Sequence, residues 1–117
     1  MLSDEYRYKI LNLLEKDPEL SQRDLAQALG VSLGKVNFCV KVLIDKGLVK
    51  ARNFRNSKNK SAYMYYLTPT GFEEKARVTV RFFRLKVAEY EALTQEIERL
   101  RSEVVEGDGA PKKTALG

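Results

Sequence analysis

Residues 21–67 read SQRDLAQALGVSLGKVNFCVKVLIDKGLVKARNFRNSKNKSAYMYYL, and they contain the clearest secondary-structure signals of the chain. Ser21 followed by Asp24 is the pattern of a capping box, which predicts the start of a short helix. Gly30 stands where a left-handed residue closes such a helix, and Ser32 is a suitable N-cap for a second one. Two short apolar helices joined by a glycine turn predict a helix-turn-helix.

The second of these helices, which ends near Gly47, has two different faces. One face is apolar at helical spacing and is predicted to be buried; it consists of Val36, Cys39, Val40 and Leu43. The opposite face is predicted to be exposed and carries Gly34, Phe38, Lys41 and Asp45. The second helix of a helix-turn-helix can enter a DNA major groove, so this opposite face is a candidate for base recognition.

Directly after this helix the sequence predicts a β-hairpin. The runs 48–51 and 62–67 are β-prone, and they flank a loop at 52–61 that is rich in Asn, Ser and Lys. A helix-turn-helix followed by such a hairpin is a winged helix, whose hairpin, the wing, usually tracks phosphates or reaches into the minor groove. We therefore predict a mainly α fold with a small β-hairpin.

Helices are also predicted on both sides of this region. The first runs over about 4–16 with Ser3 as N-cap, and its apolar positions share one face: Tyr6, Ile10, Leu13 and Leu14. Behind the hairpin, Thr68 supplies an N-cap and Pro69 a first helical residue, and no strong breaker follows before Gly107. One helix of about 37 residues, roughly 55 Å long, is expected. Gly71 in its first turn is expected only to weaken it.

The second half of this long helix carries the seam of a coiled coil. From Phe83 onward apolar residues alternate three and four positions apart, at Tyr90, Leu93, Ile97, Leu100 and Val104. The stripe could instead fold back onto its own domain, but a winged-helix body of about 70 residues gains from a dimer interface. We expect a homodimer. Parallel pairing sets Glu96 beside Arg101 of the second helix and is favoured over antiparallel pairing, which sets Glu96 near other acids.

The predicted organisation follows from these elements and from the composition. With 44% hydrophobic and 32% charged residues among 117, the chain is one globular domain with appendages. We assign 1–68 to a winged helix-turn-helix DNA-binding domain, 69–106 to the dimerisation helix, and 107–117 to a disordered tail.

Positive charge is concentrated in one segment of the chain. Between Ser32 and Lys60 there are eight basic residues and one acidic residue, a local balance of +7, whereas the whole chain carries +5. The positive field therefore belongs to this segment. It indicates a polyanionic partner, and we expect double-stranded DNA.

Several classes of function are disfavoured by what the chain lacks. It contains no histidine, which removes the commonest general base and metal ligand, and no catalytic or phosphate-binding motif, so neither an enzyme nor a cofactor is expected. Its longest apolar run is too short to span a bilayer, and its start has no signal-peptide pattern. We expect a cytoplasmic, nucleoid-associated protein without membrane contact. The single Cys39 is expected to be a buried hydrophobe rather than a redox switch.

Individual residues can be assigned hypothetical roles in DNA binding. On the recognition helix the candidates are Ser32, Gly34, Lys35, Asn37, Phe38 and Lys41. Asn37 could pair with adenine, and Phe38 could meet a thymine methyl or else cover a neighbouring loop. On the wing, phosphate contacts are expected from Lys50, Arg52, Arg55, Lys58 and Lys60.

Two longer segments carry a family resemblance. The stretches SLGKVNFCVKVLIDKGLVKARNFRNSKNK (32–60) and YYLTPTGFEEKARVTVRFF (65–83) closely resemble MarR-type regulators associated with exopolysaccharide gene clusters, and the resemblance extends over residues 1 to about 105. The LTPTG run at 67–71 matches the junction of wing and following helix in the broader MarR family. The resemblance implies a dimeric bacterial DNA-binding protein, usually a repressor, and a genetic association with surface-polysaccharide synthesis.

The chain departs from the family pattern in two places. It starts almost directly with the first helix of the winged domain, whereas typical MarR proteins have a further N-terminal helix, so dimerisation is expected to rest on the long helix. The Asp-x-Arg near the wing tip of many relatives is replaced by Asn59-Lys60-Ser61. Whether a small-molecule effector exists stays open.

Two hypotheses of function therefore compete. The first is a sequence-specific, dimeric transcription regulator, whose two recognition helices read successive major grooves of a palindromic site. The alternative is a protein-interaction module, in which the winged helix docks another protein and binds no DNA specifically.

Overall fold

The computed structural model describes residues 2–55 and 61–109. In chain order the elements are α1 (Asp4–Lys16), α2 (Gln22–Leu29), α3 (Leu33–Asp45), β1 (Val49–Arg55), β2 (Ser61–Leu67) and α4 (Pro69–Gly109). This is a winged helix-turn-helix followed by a long helix, so the predicted fold class is confirmed.

The chain divides into two compact units, residues 1–82 and 83–117. The first unit holds α1 to α3, the hairpin and the beginning of α4, and the described part of the second is the remainder of α4. The first unit thus includes some of the helix that the sequence assigned to dimerisation. Helix α4 continues to Gly109, a little beyond the predicted end at 106. Residues 110–117 of the predicted tail lie outside the described residues.

The ends of the first three helices are formed by the residues that the sequence indicates. Ser3 caps α1, and Ser21 and Asp24 form both hydrogen bonds of the capping box at α2. Gly30 closes α2 with a φ of 70°, and the Ser32 side chain accepts from the Lys35 N–H at the start of α3. Because caps depend on a few neighbouring residues, their positions are readable without tertiary information.

The core lies where α1, α2, α3 and the base of the hairpin meet. The predicted inner face of α3 is buried, and its members are Val36, Cys39, Val40 and Leu43. On α1 the buried side chains are Ile10, Leu11 and Leu14, whereas Tyr6 and Leu13 are only partly buried. Leu11 was not among the predicted positions. It is buried because α1 is covered by the hairpin strand β2 as well as by α2 and α3, which widens its inner face.

The two strands of the hairpin pair antiparallel from Val49 opposite Leu67 to Arg55 opposite Ser61. Strand β1 is therefore longer than the predicted run 48–51, and it includes Arg52 and Arg55, which the sequence placed in the loop. The low β-propensity of this Asn- and Arg-containing segment is overridden by pairing with the tyrosine-rich strand β2. Residues 56–60 lie outside the described residues.

A tight junction joins the base of the hairpin to α4. The Thr68 hydroxyl donates to the Gly47 carbonyl at 2.6 Å and accepts from the Gly71 N–H at 3.0 Å. The Leu48 carbonyl accepts from the Thr68 N–H at 3.0 Å. A Cβ at Gly71 would lie 2.0 Å from that carbonyl oxygen. The expectation that Gly71 only weakens the helix was incomplete, because the backbones approach too closely for any side chain.

Ion pairs hold α1 against the beginning of α4 inside the first unit. Arg7 contacts Glu74 at 2.8 Å, and both side chains are only 13% exposed. Arg81 reaches both carboxylate oxygens of Asp4, at 2.8 and 3.2 Å. The rings of Tyr8 and Phe82 stack beside them. Asp4 and Glu74 thus form ion pairs between α1 and α4.

No described helix is by itself long and apolar enough to span a bilayer. Helices α2 and α3 together reach that length and composition, but the pair is bent by 112°.

Candidate nucleic-acid interface

The exposed side of α3 brings together most of the predicted recognition residues. We call the surface formed by Gly34, Asn37, Phe38 and Lys41 the outer face of α3. All four residues are exposed, and Phe38 remains 50% accessible although it is a large apolar side chain. A Cβ at Gly34 would meet only the Ser32 Oγ, at 4.0 Å. No crowding among the described residues therefore requires this glycine, and the backbone here is open to a close approach by a partner.

The two lysines of α3 have different surroundings. The Lys35 ammonium lies over the Tyr6 ring of α1, 4.9 Å from its centre, which draws this side chain to the edge of the outer face. The Lys41 ammonium is 4.0 Å from an Asp45 carboxylate oxygen on the same helix, and both side chains are largely exposed. An exposed pair at this distance is weak and screened, so a phosphate can replace Asp45 as the partner of Lys41.

Asn37 is the end of a hydrogen-bonded chain through three elements. Its Nδ2 donates to the Oε1 of Gln22, the first residue of α2, at 3.1 Å. The Nε2 of Gln22 donates in turn to the Tyr65 hydroxyl of β2, also at 3.1 Å. Asn37 was predicted as a site residue from the sequence, whereas Gln22 and Tyr65 were not. No local pattern could have found them, because they lie 15 and 43 positions away from their partners.

The wing residues are not all on the side of the hairpin that meets the helices. In an antiparallel pair, side chains directly opposite each other share a face, and faces alternate along the strand. Val49 and Tyr65 are buried on the inner face. Lys50 and Arg52 are exposed on the other face, where the Arg52 guanidinium lies 5.7 Å from the centre of the Tyr66 ring. The structure thus separates Lys50 and Arg52 from Tyr65 and the chain to Asn37.

Of the remaining predicted wing residues, Arg55 is the one within the described residues. Arg55 is the last residue of β1 and is paired with Ser61. Lys58 and Lys60 lie outside the described residues, so their part in the interface stays a prediction.

Cys39 occupies the core side of α3, as predicted. Burial raises the pKa of its thiol, and the nearby Lys35 charge opposes this rise only in part. A protonated, buried thiol is a poor nucleophile. Among the described residues there is also no group of three or more side chains suited to hold a metal ion.

The predicted dimerisation residues form an exposed stripe in the second unit. Phe83, Tyr90, Leu93, Ile97, Leu100 and Val104 are between 43% and 70% accessible. All of them belong to a single helix, which cannot bury such a stripe against itself.

Comparison with known proteins identifies the type of domain. Residues 3–50 match the family model described as winged helix-turn-helix DNA-binding. No curated protein matches the chain.

Solved structures of bacterial transcription regulators share the fold. A PadR-like regulator from Bacillus cereus has a TM-score of 0.68 at 16% identity, covering 74% of this chain and 89% of that chain. The PcaV regulator from Streptomyces coelicolor has a TM-score of 0.59 at 24% identity, covering 87% and 79%. A MarR family regulator from Rhodococcus has a TM-score of 0.61 at 16% identity, covering 93% and 76%. At these identities the similarity establishes the fold, a winged helix of the type seen in MarR and PadR regulators.

Proposed function

We propose that this protein is a sequence-specific transcription regulator that binds double-stranded DNA as a dimer and represses its targets. The main support for this proposal is the exposed outer face of α3. It presents an amide, an exposed aromatic ring and a cation on the second helix of a winged helix-turn-helix, while the inner face of the same helix is core. Helices in this position enter the major groove, where such groups can read base edges.

Within this face the side chains have distinct tasks. Asn37 pairs with adenine through its amide, and Phe38 contacts a thymine methyl group. Lys41 and Lys35 contact phosphates, which fixes the register of the helix in the groove without reading sequence. Ser32 and Gly34, at the start of α3, let the backbone approach the DNA closely.

The wing supplies further phosphate contacts, which we rank by the face of the hairpin on which each residue lies. Lys50 and Arg52 lie on one face of the hairpin, and Tyr65 lies on the other face. Tyr65 is hydrogen-bonded to Gln22, which in turn contacts Asn37 on α3. We therefore assign the main contacts to Arg55, Lys58 and Lys60, and a smaller share to Lys50 and Arg52.

A second copy of the chain is the proposed occupant of the exposed stripe in the second unit. A coiled-coil pair would bury Tyr90, Leu93, Ile97 and their neighbours at a and d positions. A two-fold dimer also presents two recognition helices to successive major grooves, about 34 Å apart, and so predicts a palindromic site.

The proposed targets follow from the resemblance to MarR-type regulators of exopolysaccharide clusters. We expect the protein to act in the cytoplasm, on the nucleoid, at promoters of surface-polysaccharide genes. If it is a repressor, deletion of its gene raises their transcripts, and purified protein prefers those promoter fragments to unrelated fragments of equal length.

Fluorescence anisotropy on genomic fragments over a salt series tests the main proposal. A regulator must lose affinity steeply between about 50 and 200 mM salt and must retain a sequence preference above this non-specific background. Weak binding without preference would instead support the alternative, in which the winged helix is a docking module for another protein.

A further inference from the structure

We propose that Gln22 and Tyr65 are positioning residues that set the orientation of the Asn37 amide and thereby the base read at one position of the DNA site. This inference rests on the proposed function. It concerns two side chains that need not touch DNA themselves, one on α2 and one on the wing.

The anchor of this arrangement is Tyr65. Its ring is buried in the core with 6% exposure, and its backbone N–H donates to the Pro18 carbonyl between α1 and α2 at 3.0 Å. The neighbouring Tyr63 ring stacks on it, with centres 6.3 Å apart. The Tyr65 hydroxyl is therefore held at a fixed place beside the start of α2.

The Gln22 amide is restrained by hydrogen bonds at both of its ends, one to Tyr65 and one to Asn37. Gln22 donates from Nε2 to the Tyr65 oxygen, so its Oε1 must point the other way, toward Asn37. An amide oxygen can only accept, so Asn37 turns its Nδ2 toward the Gln22 Oε1. Two hydrogen bonds in series thus hold both amides in the arrangement seen here.

This orientation leaves Asn37 with one defined pair of free groups. One hydrogen on Nδ2 is used by Gln22, while the other hydrogen and Oδ1 have no hydrogen-bond partner among the described residues. One donor beside one acceptor is the arrangement that matches N7 and N6 of adenine in the major groove. Guanine presents two acceptors there, so a fixed Oδ1 disfavours it.

Without the hydrogen bonds from Gln22 and Tyr65, the discrimination of adenine from guanine should weaken. The terminal torsion of asparagine is broad and close to two-fold, so a free amide exchanges donor and acceptor at little cost. A mobile Asn37 would have to lose this freedom on binding adenine, and it could turn its donor toward guanine as well.

The Tyr65→Phe variant tests the inference by removing one oxygen atom and keeping the buried ring. A preferred DNA site is first found by in vitro selection with the wild-type protein. Base preference at every position of this site is then measured by competitive binding, together with the salt dependence of affinity. We expect the preference for adenine at one position to fall roughly threefold to tenfold, the worth of one hydrogen bond. Other positions and the salt slope should not change.

The matched control is Tyr66→Phe. Its hydroxyl contacts the Met64 sulphur at 3.2 Å on the opposite face of the hairpin and takes no part in the chain to Asn37. This variant should keep the wild-type preference at all positions. Gln22→Met, which keeps the length of the side chain without its amide, should reproduce the loss seen in Tyr65→Phe at the same position.

A double-mutant cycle makes the test independent of general stability. In Asn37→Ala, adding Tyr65→Phe should cause no further loss at that position, because the positioned group is already gone. The inference is overturned if Asn37→Ala relaxes one position and neither Tyr65→Phe nor Gln22→Met affects it. It is also overturned if both variants weaken all positions equally.

Failure of the proposed function gives a different result. A wild-type protein with no base preference at any position contradicts sequence-specific binding, and the positioning role with it. A wild-type protein with a clear preference that Tyr65→Phe leaves intact contradicts only the positioning role.

Discussion

At the scale of single residues, two glycines in the first turns of helices have opposite steric surroundings. Gly71 is enclosed, since a Cβ would lie 2.0 Å from the Leu48 carbonyl oxygen. Gly34 is open, with only the Ser32 Oγ at 4.0 Å. Both stand in the first turn of a helix in the sequence. The first is required by the fold, and the second is explained by the proposed approach of DNA.

Gly71→Ala should therefore destabilise the protein, by about 1–3 kcal/mol, because the methyl group forces the hairpin base and α4 apart. Gly34→Ala should leave the free energy of unfolding unchanged or raise it by up to about 1 kcal/mol, since alanine favours helix. Chemical denaturation of both variants measures the difference. Equal stability of the two variants would show that the junction relaxes at no cost.

At the scale of elements, the hairpin carries two surfaces with different neighbours. Its inner face continues from the core through Tyr65 to Gln22 and the outer face of α3. Its other face carries Lys50 and Arg52 beside the Tyr66 ring. Positive charge in this segment is thus distributed over more than one surface, although it forms a single cluster in the sequence.

Lys58→Ala should weaken binding to all DNA sequences about equally and reduce the salt slope by roughly 1, as expected for one lost phosphate contact. Lys50→Ala should have a clearly smaller effect, because Lys50 lies on the hairpin face away from the helices. Anisotropy titrations at several salt concentrations compare the two. If Lys50→Ala proves the more harmful change, the wing meets DNA with its other face.

The ion pairs between α1 and α4 make the free energy of unfolding depend on pH in the acidic range. Burial alone would raise the pKa of Glu74, but the hydrogen bonds and charges of Arg77 and Arg7 outweigh it and lower the pKa below its ordinary value of 4.5. For Asp4 the hydrogen bond from Arg81 is the largest cause of a lowered pKa. Because these pKa values are lower in the folded state, their stabilisation is present above the unfolded pKa and is lost as pH falls through the folded one.

Glu74→Gln should accordingly lower stability at neutral pH and flatten the loss of stability below about pH 4.5, where unfolded glutamate begins to take up protons. Glu91→Gln, at an exposed position of α4, is the control and should change neither. Urea denaturation at a series of pH values measures both effects. A variant with the wild-type pH profile would mean that the pair with Arg7 contributes nothing to acid sensitivity.

At the scale of the whole molecule, the chain has two units with different tasks in the proposed function. The first, residues 1–82, contains the complete winged helix and its ion pairs to α4. The second carries the exposed apolar stripe. The proposed palindromic recognition needs both units, because one winged helix reads only a half-site.

A chain truncated after Phe82 should remain folded but become monomeric, and it should bind a palindromic site far more weakly than the full chain. The reason is that its core and its Tyr8–Phe82 contact are retained, whereas the stripe is removed. Light scattering and circular dichroism measure mass and folding. A folded truncated form that is still dimeric would place the interface in the first unit.

Sequence patterns alone were enough to predict the order and limits of the short helices, the inner face of α3 and the presence of a wing. These features depend on caps, turns and periodicity within a few neighbouring residues. The folded structure was needed to see that Gly71 has no room for a side chain, and that Asn37 is hydrogen-bonded through Gln22 to Tyr65. Such relations join groups far apart in the chain, and they exist only once the folded backbone brings those groups within hydrogen-bonding or steric distance.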